Sequence, residues 1–120
     1  MNEYKKTIFL DIDGCLVKHQ GNLSTQILNP PILLPGTLEK LNECEALGYK
    51  IILATGRKES MRKMTEEQLS DLGIFYDQLI MGLSRGERII INDKKPDANL
   101  LRVASAIEIE RNKGISEITL

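Results

Sequence analysis

Tryptophan is absent from this chain, and aromatic residues of any kind are scarce, with two Phe and three Tyr. Net charge is only −1, from 16 basic and 17 acidic side chains. An extended nucleic-acid surface needs a basic groove and stacking rings, so this composition argues against a nucleic-acid partner while leaving room for a local anion pocket. There are two cysteines, Cys15 and Cys44, one histidine, His19, and no Cys/His cluster at metal spacing. That pattern suits a reducing cytoplasm better than a disulfide framework. The opening MNEYKK lacks the apolar h-region of a secretory signal. No apolar run approaches the ~20 residues of a membrane span, so no membrane partner is expected. Internal repeats, low-complexity stretches and linkers are also missing. The 120 residues fit one domain, 1–120, which can bury roughly two-thirds of its unfolded surface without staples.

What is present is a set of short, continuous apolar runs, each followed by polar residues. The first is TIFLDIDGCL, Thr7 to Leu16. Ile8-Phe9-Leu10 reads as a strand buried on both faces, over about Thr7–Ile12. Residues 17–35 hold Gly21, Asn22, Asn29 and three prolines, and read as loop or hairpin material. A helix follows from about Thr37 to Leu47, with Leu38, Leu41, Cys44 and Leu47 as its apolar stripe and Gly48 as terminator. Lys50–Ala54 is the second strand. Residues 58–72 are helical, with Met61, Met64, Leu69 and Leu72 inward and a break at Thr65, because Thr65 and Gln68 have capping-box spacing; Gly73 ends the segment. A third strand is expected at about Asp77–Met81 and a fourth at Arg88–Ile91. Beyond Pro96, Asn99–Ala106 is helix or extended, and Ala106–Glu110 alternates like an edge strand. This order implies an α/β fold with a mainly parallel sheet.

Three polar segments sit at strand ends, where open α/β sheets bind ligands. In Asp11-Ile12-Asp13-Gly14 two carboxylates leave a buried strand together, and a divalent cation is the obvious compensation for their charge. The turn at Gly14 lets the two diverge, one as nucleophile or metal ligand, the other as proton donor and acceptor. A solvated strand end is the plain alternative. An EF-hand loop is excluded, since Leu16 stands where its glycine belongs. A thiol phosphatase is excluded too: Gly21 stands six after Cys15, where arginine would be required, and Cys15 is read as a packing residue. In Ala54-Thr55-Gly56-Arg57, a hydroxyl and a free backbone N–H at a strand-to-helix junction make an oxyanion or phosphate cradle, and Gly56 permits close approach. Asp93 and Asp97, in INDKKPD, are hard oxygen donors suited to Mg²⁺, against the alternative of an Asx turn before Pro96.

In this order, and each at a strand end, the three segments resemble the motifs of the haloacid dehalogenase (HAD) superfamily of aspartate-nucleophile phosphotransferases. DIDGCL is similar to its first motif, ATGR to its second and INDKKPD to its fourth. The resemblance implies a HAD-like Rossmannoid three-layer sandwich. It implies that Asp11 attacks phosphorus, that Asp13 protonates the leaving alcohol and then activates water, and that Thr55 and Gly56 bind phosphoryl oxygens. Mg²⁺ would be held by Asp11, the backbone carbonyl of Asp13, and Asp93. The expected activity is an Mg²⁺-dependent phosphatase, a hydrolase acting on a small phosphorylated metabolite such as a sugar phosphate. The alternative is a catalytically weak phosphate-binding or regulatory domain.

Two departures from the family pattern stand out. Asn92 occupies a place often held by an acid. The family's third-motif lysine is also missing, since no lysine lies between Lys63 and Lys94. Arg85 or Arg88 is its substitute, with Lys94 as the alternative. Arg57, Lys58, Arg62 and Lys63 read mostly as helix-surface charge. Finally, residues 17–35 leave room only for a flap, not a cap domain. Their apolar stretch 26–34 leads us to expect a homo-oligomer with part of 17–35 in its interface.

Overall fold

The computed structural model describes residues 4–94 and 102–120. Its sheet has three parallel strands: β1 (Thr7–Leu10), β2 (Lys50–Ala54) and β3 (Gln78–Ile80), in spatial order β1-β2-β3. Thr7 lies opposite Lys50 and Leu10 opposite Leu53, while Ile52 faces Gln78 and Ala54 faces Ile80. Asp77 fastens the start of β3: its carboxylate accepts from Ile51 N–H at 2.8 Å. The helices are α1 (Leu23–Leu28), α2 (Thr37–Ala46) and α3 (Arg62–Asp71), with a 3₁₀ turn at Glu59–Met61 ahead of α3. Among the described residues no helix is long and apolar enough to cross a membrane.

The central strand carries the core. Ile51 and Leu53 of β2 are buried with Leu10, Ile12, Leu16, Leu41, Cys44, Leu69, Leu79 and Ile115. The sequence expectation for β1 needs correction. Phe9 is 55% exposed, so the face of β1 that carries it is not covered among the described residues. A continuous apolar run therefore does not here mean burial on both faces.

The helices begin and end close to expectation, but their buried sides differ. In α2, Leu41 and Cys44 are buried whereas Leu47 is exposed. Gly48 ends the helix at φ 76, a left-handed position that glycine adopts without strain. In the next segment no break occurs at Thr65. The change of geometry comes earlier, where the 3₁₀ turn gives way to α3 at Arg62. Met61, Leu69 and Leu72 pack on the core as expected, but Thr65 takes the buried place expected of Met64, which is exposed.

The largest corrections concern the later chain. Arg88–Ile91 forms no strand, and Ile91 is 92% exposed. Residues 106–110 form no strand either. Of the 99–106 segment, residues 99–101 lie outside the described residues, as do Lys95, Pro96 and Asp97; 102–106 are neither helix nor strand. Residues 17–35 fold back on the body. Val17 and Leu33 form an antiparallel bridge, and Gln26 is buried, its side chain accepting from Gln20 N–H and donating to the Lys18 carbonyl.

Candidate active site

At the C-terminal end of β1 the chain turns sharply. The N–H groups of Cys15, Leu16 and Val17 all point to the Ile12 carbonyl, at 3.2, 2.9 and 3.1 Å, and Gly14 N–H donates to Val17 at 2.7 Å. Gly14 takes φ 89, which a side chain would resist. Burying Ile12 at the centre of this turn splays the carboxylates on either side of it. Asp11 opens to solvent. Asp13 turns inward to Arg57.

Asp11 accepts the N–H of Ile12 at 2.9 Å. Partial loss of hydration in the mouth of the sheet raises its carboxyl above the ordinary value, and the Asp13 charge adds to this. The Ile12 hydrogen bond and the charges of Arg88 and His19 pull the other way. Of the three basic residues expected for the third-motif role, all exposed, Arg88 is the one whose charge reaches Asp11. Four residues on, burial and then the Asp11 charge push the Cys15 thiol up to about 11, which fits a packing residue and not a nucleophile.

Parallel pairing of β1 with β2 sets the ATGR segment beside this turn, since Leu10 faces Leu53. Thr55 is buried; its N–H donates to the Ile80 carbonyl, and its hydroxyl oxygen accepts from Arg57 N–H at 3.1 Å. The hydroxyl proton remains to be donated. A Cβ on Gly56 would meet the Leu83 carbonyl at 3.4 Å, and the residue is exposed.

Arg57 is the residue the sequence misplaces. It is 1% exposed, not a surface charge. Its Nε and Nη2 donate to the two oxygens of Asp13 at 2.9 and 2.7 Å. Its Nη1 donates to Thr65 Oγ1 and Gln68 Oε1 at 3.2 and 2.7 Å. The spacing of Thr65 and Gln68 thus serves the guanidinium, not a helix cap.

A second group comes from the far end of the sequence. Asn112, at φ 66, donates its N–H to the Gly14 carbonyl at 2.9 Å. Its side chain accepts from His19 N–H at 2.7 Å and donates to the His19 carbonyl at 3.3 Å. The Gly14 turn and the flap are thereby tied together, and His19 is held where its charge reaches Asp11. Only the left-handed tendency of Asn hints at this in the sequence.

Among the described residues no group of three or more His, Cys, Asp or Glu side chains is placed to hold a metal; the expected set draws on two side chains, Asp11 and Asp93, and on the backbone carbonyl of Asp13. Asn92 turns its side-chain amide to the Asp93 carbonyl at 3.0 Å. Asp11 faces solvent, and no hydrogen bond is made to the Asp13 carbonyl among the described residues. One or two protein oxygens completed by substrate phosphate and water are a common Mg²⁺ arrangement.

No protein-family model matches the chain, and no curated protein matches it. Solved structures do. A chain of the Pnkp1/Rnl/Hen1 complex is 29% identical, with a TM-score of 0.57 over 71% of this chain and 30% of its own. A chain of the Pnkp1/Rnl/Hen1 RNA repair complex is 28% identical, with a TM-score of 0.57 over 70% of this chain and 27% of its own. A protein from Vibrio cholerae is 21% identical, with a TM-score of 0.53 over 71% of this chain and 79% of its own; that likeness concerns the fold alone. The chain spans less than a third of the length of the two complex components.

Proposed function

We propose that this chain is a HAD-like phosphomonoester hydrolase whose nucleophile is Asp11. The observation that carries the reading is the division of labour between two carboxylates in one turn. Asp11 faces solvent, while Asp13 is held by Arg57 with Thr55 alongside. An Asp11 oxygen attacks phosphorus as the bond to the leaving alcohol breaks, and Asp13 gives that oxygen a proton. Asp13 then takes a proton from water, whose oxygen displaces Asp11 and completes inorganic phosphate. The Thr55 hydroxyl and Gly56 N–H donate to the phosphoryl oxygens, where charge grows in the transition state, and Arg88 supplies a nearby positive charge. Mg²⁺ on Asp11 and the Asp13 carbonyl belongs to the proposal and neutralises phosphoryl charge when bound. The HAD-like three-layer sandwich and a cytoplasmic location belong to it as well. A small phosphorylated metabolite is the proposed substrate.

The test is turnover of p-nitrophenyl phosphate with Mg²⁺. Asp11→Asn should abolish it while leaving the circular dichroism spectrum intact, because an amide is not a nucleophile. Wild-type rate in that variant would refute the assignment. A second reading, removal of phosphate from RNA ends, is favoured by the 28% identity to a chain of the Pnkp1/Rnl/Hen1 RNA repair complex. A 3′-phosphorylated oligoribonucleotide set against a panel of phosphosugars separates the two, the better kcat/KM naming the substrate class.

A further inference from the structure

We infer that Arg57 is the positioning residue of this site, acting through Asp13 and making no contact with substrate. The inference rests on the reading of Asp13 as the proton-transfer group. An arginine buried to 1% exposure is costly unless its charge and donors are matched. Here four of the five N–H donors that a guanidinium carries are used within the protein, two on Asp13 and two on Thr65 and Gln68. An arginine meant for phosphate would hold its fork open toward the mouth. This one is closed on a carboxylate.

The geometry suits a carboxylate that must repeat a proton transfer without moving. The planar fork fixes the plane and rotation of the Asp13 carboxyl. Each Asp13 oxygen uses one lone pair on the fork and keeps the other, so the group stays held while a proton leaves for the alcohol oxygen or arrives from water. Thr65 and Gln68, one turn apart on α3, hold the guanidinium from behind. Gln68 also donates to the Ile27 carbonyl of the flap at 3.4 Å, so α3, flap and Asp13 share one polar network.

The experiment compares wild type, Arg57→Met, Asp13→Asn and the double variant, each as the full chain with Mg²⁺. The substrates are p-nitrophenyl phosphate, whose leaving group needs no proton, and glycerol phosphate, whose leaving group does. Loss of positioning should lower kcat/KM, which reports phosphoryl transfer to Asp11, by about 100-fold for the alkyl ester, the lower range for one acid–base group. It should lower kcat/KM for the aryl ester less than about tenfold, while kcat, which includes the shared attack of water, can fall for both. Arg57→Lys should restore part of the alkyl rate, and in the Asp13→Asn background Arg57→Met should add no loss. If Arg57→Met does not fold, Gln68→Met tests the same network and should show the same alkyl-over-aryl bias at smaller amplitude. A rise in KM at constant kcat would mean direct substrate contact and overturn the inference. Equal losses of kcat/KM on both esters, or a loss that persists in Asp13→Asn, would reduce Arg57 to a structural role and overturn it too. If Asp13→Asn alone leaves alkyl turnover intact, the proton-transfer reading fails first; if wild type turns over neither ester, both fail.

Discussion

Asp11 and Cys15 sit four residues apart in one turn, and burial moves both in the same direction. For Asp11 the native state holds a proton more tightly than the unfolded chain does. The ionised form is therefore penalised, and stability present at low pH is lost as pH rises through the raised native value. With chelator present, Asp11→Asn should be more stable than wild type at pH 7 in urea denaturation, and the gap should close as pH falls below about 4. A variant less stable than wild type at pH 7 would contradict this. For Cys15, a thiol near 11 is almost wholly protonated at pH 8. Iodoacetamide should label it about two orders of magnitude more slowly than an unperturbed cysteine, as peptide mass spectrometry would record. Asp11, Asp13 and Thr55 are legible in the sequence because their chemistry lies in contiguous motifs. Arg57 is not, because what buries it is Asp13, 44 positions away, and two residues of α3.

Among the elements, those with strong local signals match their expected positions: β2 at Lys50–Ala54, α2 between Thr37 and the Gly48 stop, and β3 within its expected span. Failures occur where the partner decides. Arg88–Ile91 has the composition of a buried strand but no strand beside it among the described residues. The segment 110–118 has little composition of its own, yet it packs against the start of α2. A Cβ on Gly36 would lie 2.3 Å from Ser116 N, and one on Gly114 would lie 2.4 Å from the Pro35 carbonyl oxygen. Gly73 has a similar positive φ with nothing within 4 Å. Gly73→Ala should therefore cost about 1 kcal/mol for backbone conformation alone. Gly114→Ala should cost roughly 2 kcal/mol or more, because backbone must also move. Equal losses in urea denaturation would show that the 35–114 contact contributes little.

At the scale of the molecule, a three-stranded parallel sheet puts the ends of β1 and β2 side by side, and this is how distant motifs become one site. The exposed large apolar residues include Leu28 and Ile32 on the flap and Ile89, Ile90 and Ile91 after β3. Leu28 and Ile32 are the large apolar side chains that the flap offers to the homo-oligomer interface expected from the sequence. Light scattering over a concentration series should show association at tens of micromolar that Leu28→Ser with Ile32→Ser reduces. Unchanged association in that variant would exclude the flap.

The hold of Asn112 on Gly14 and His19 also has a consequence for synthesis. The asparagine that ties down the turn bearing Asp11 is translated about 100 residues after it, a wait of roughly 5–20 s at ordinary elongation rates. Until then, Gly14 and His19 on the nascent chain lack that support, although α2, β2 and β3 have already been made. The hydrolase activity proposed above should thus arrive as a late step, after Ile115 N–H reaches the Pro35 carbonyl, and ribosome-bound chains stalled before Asn112 should be silent where the released protein turns over p-nitrophenyl phosphate.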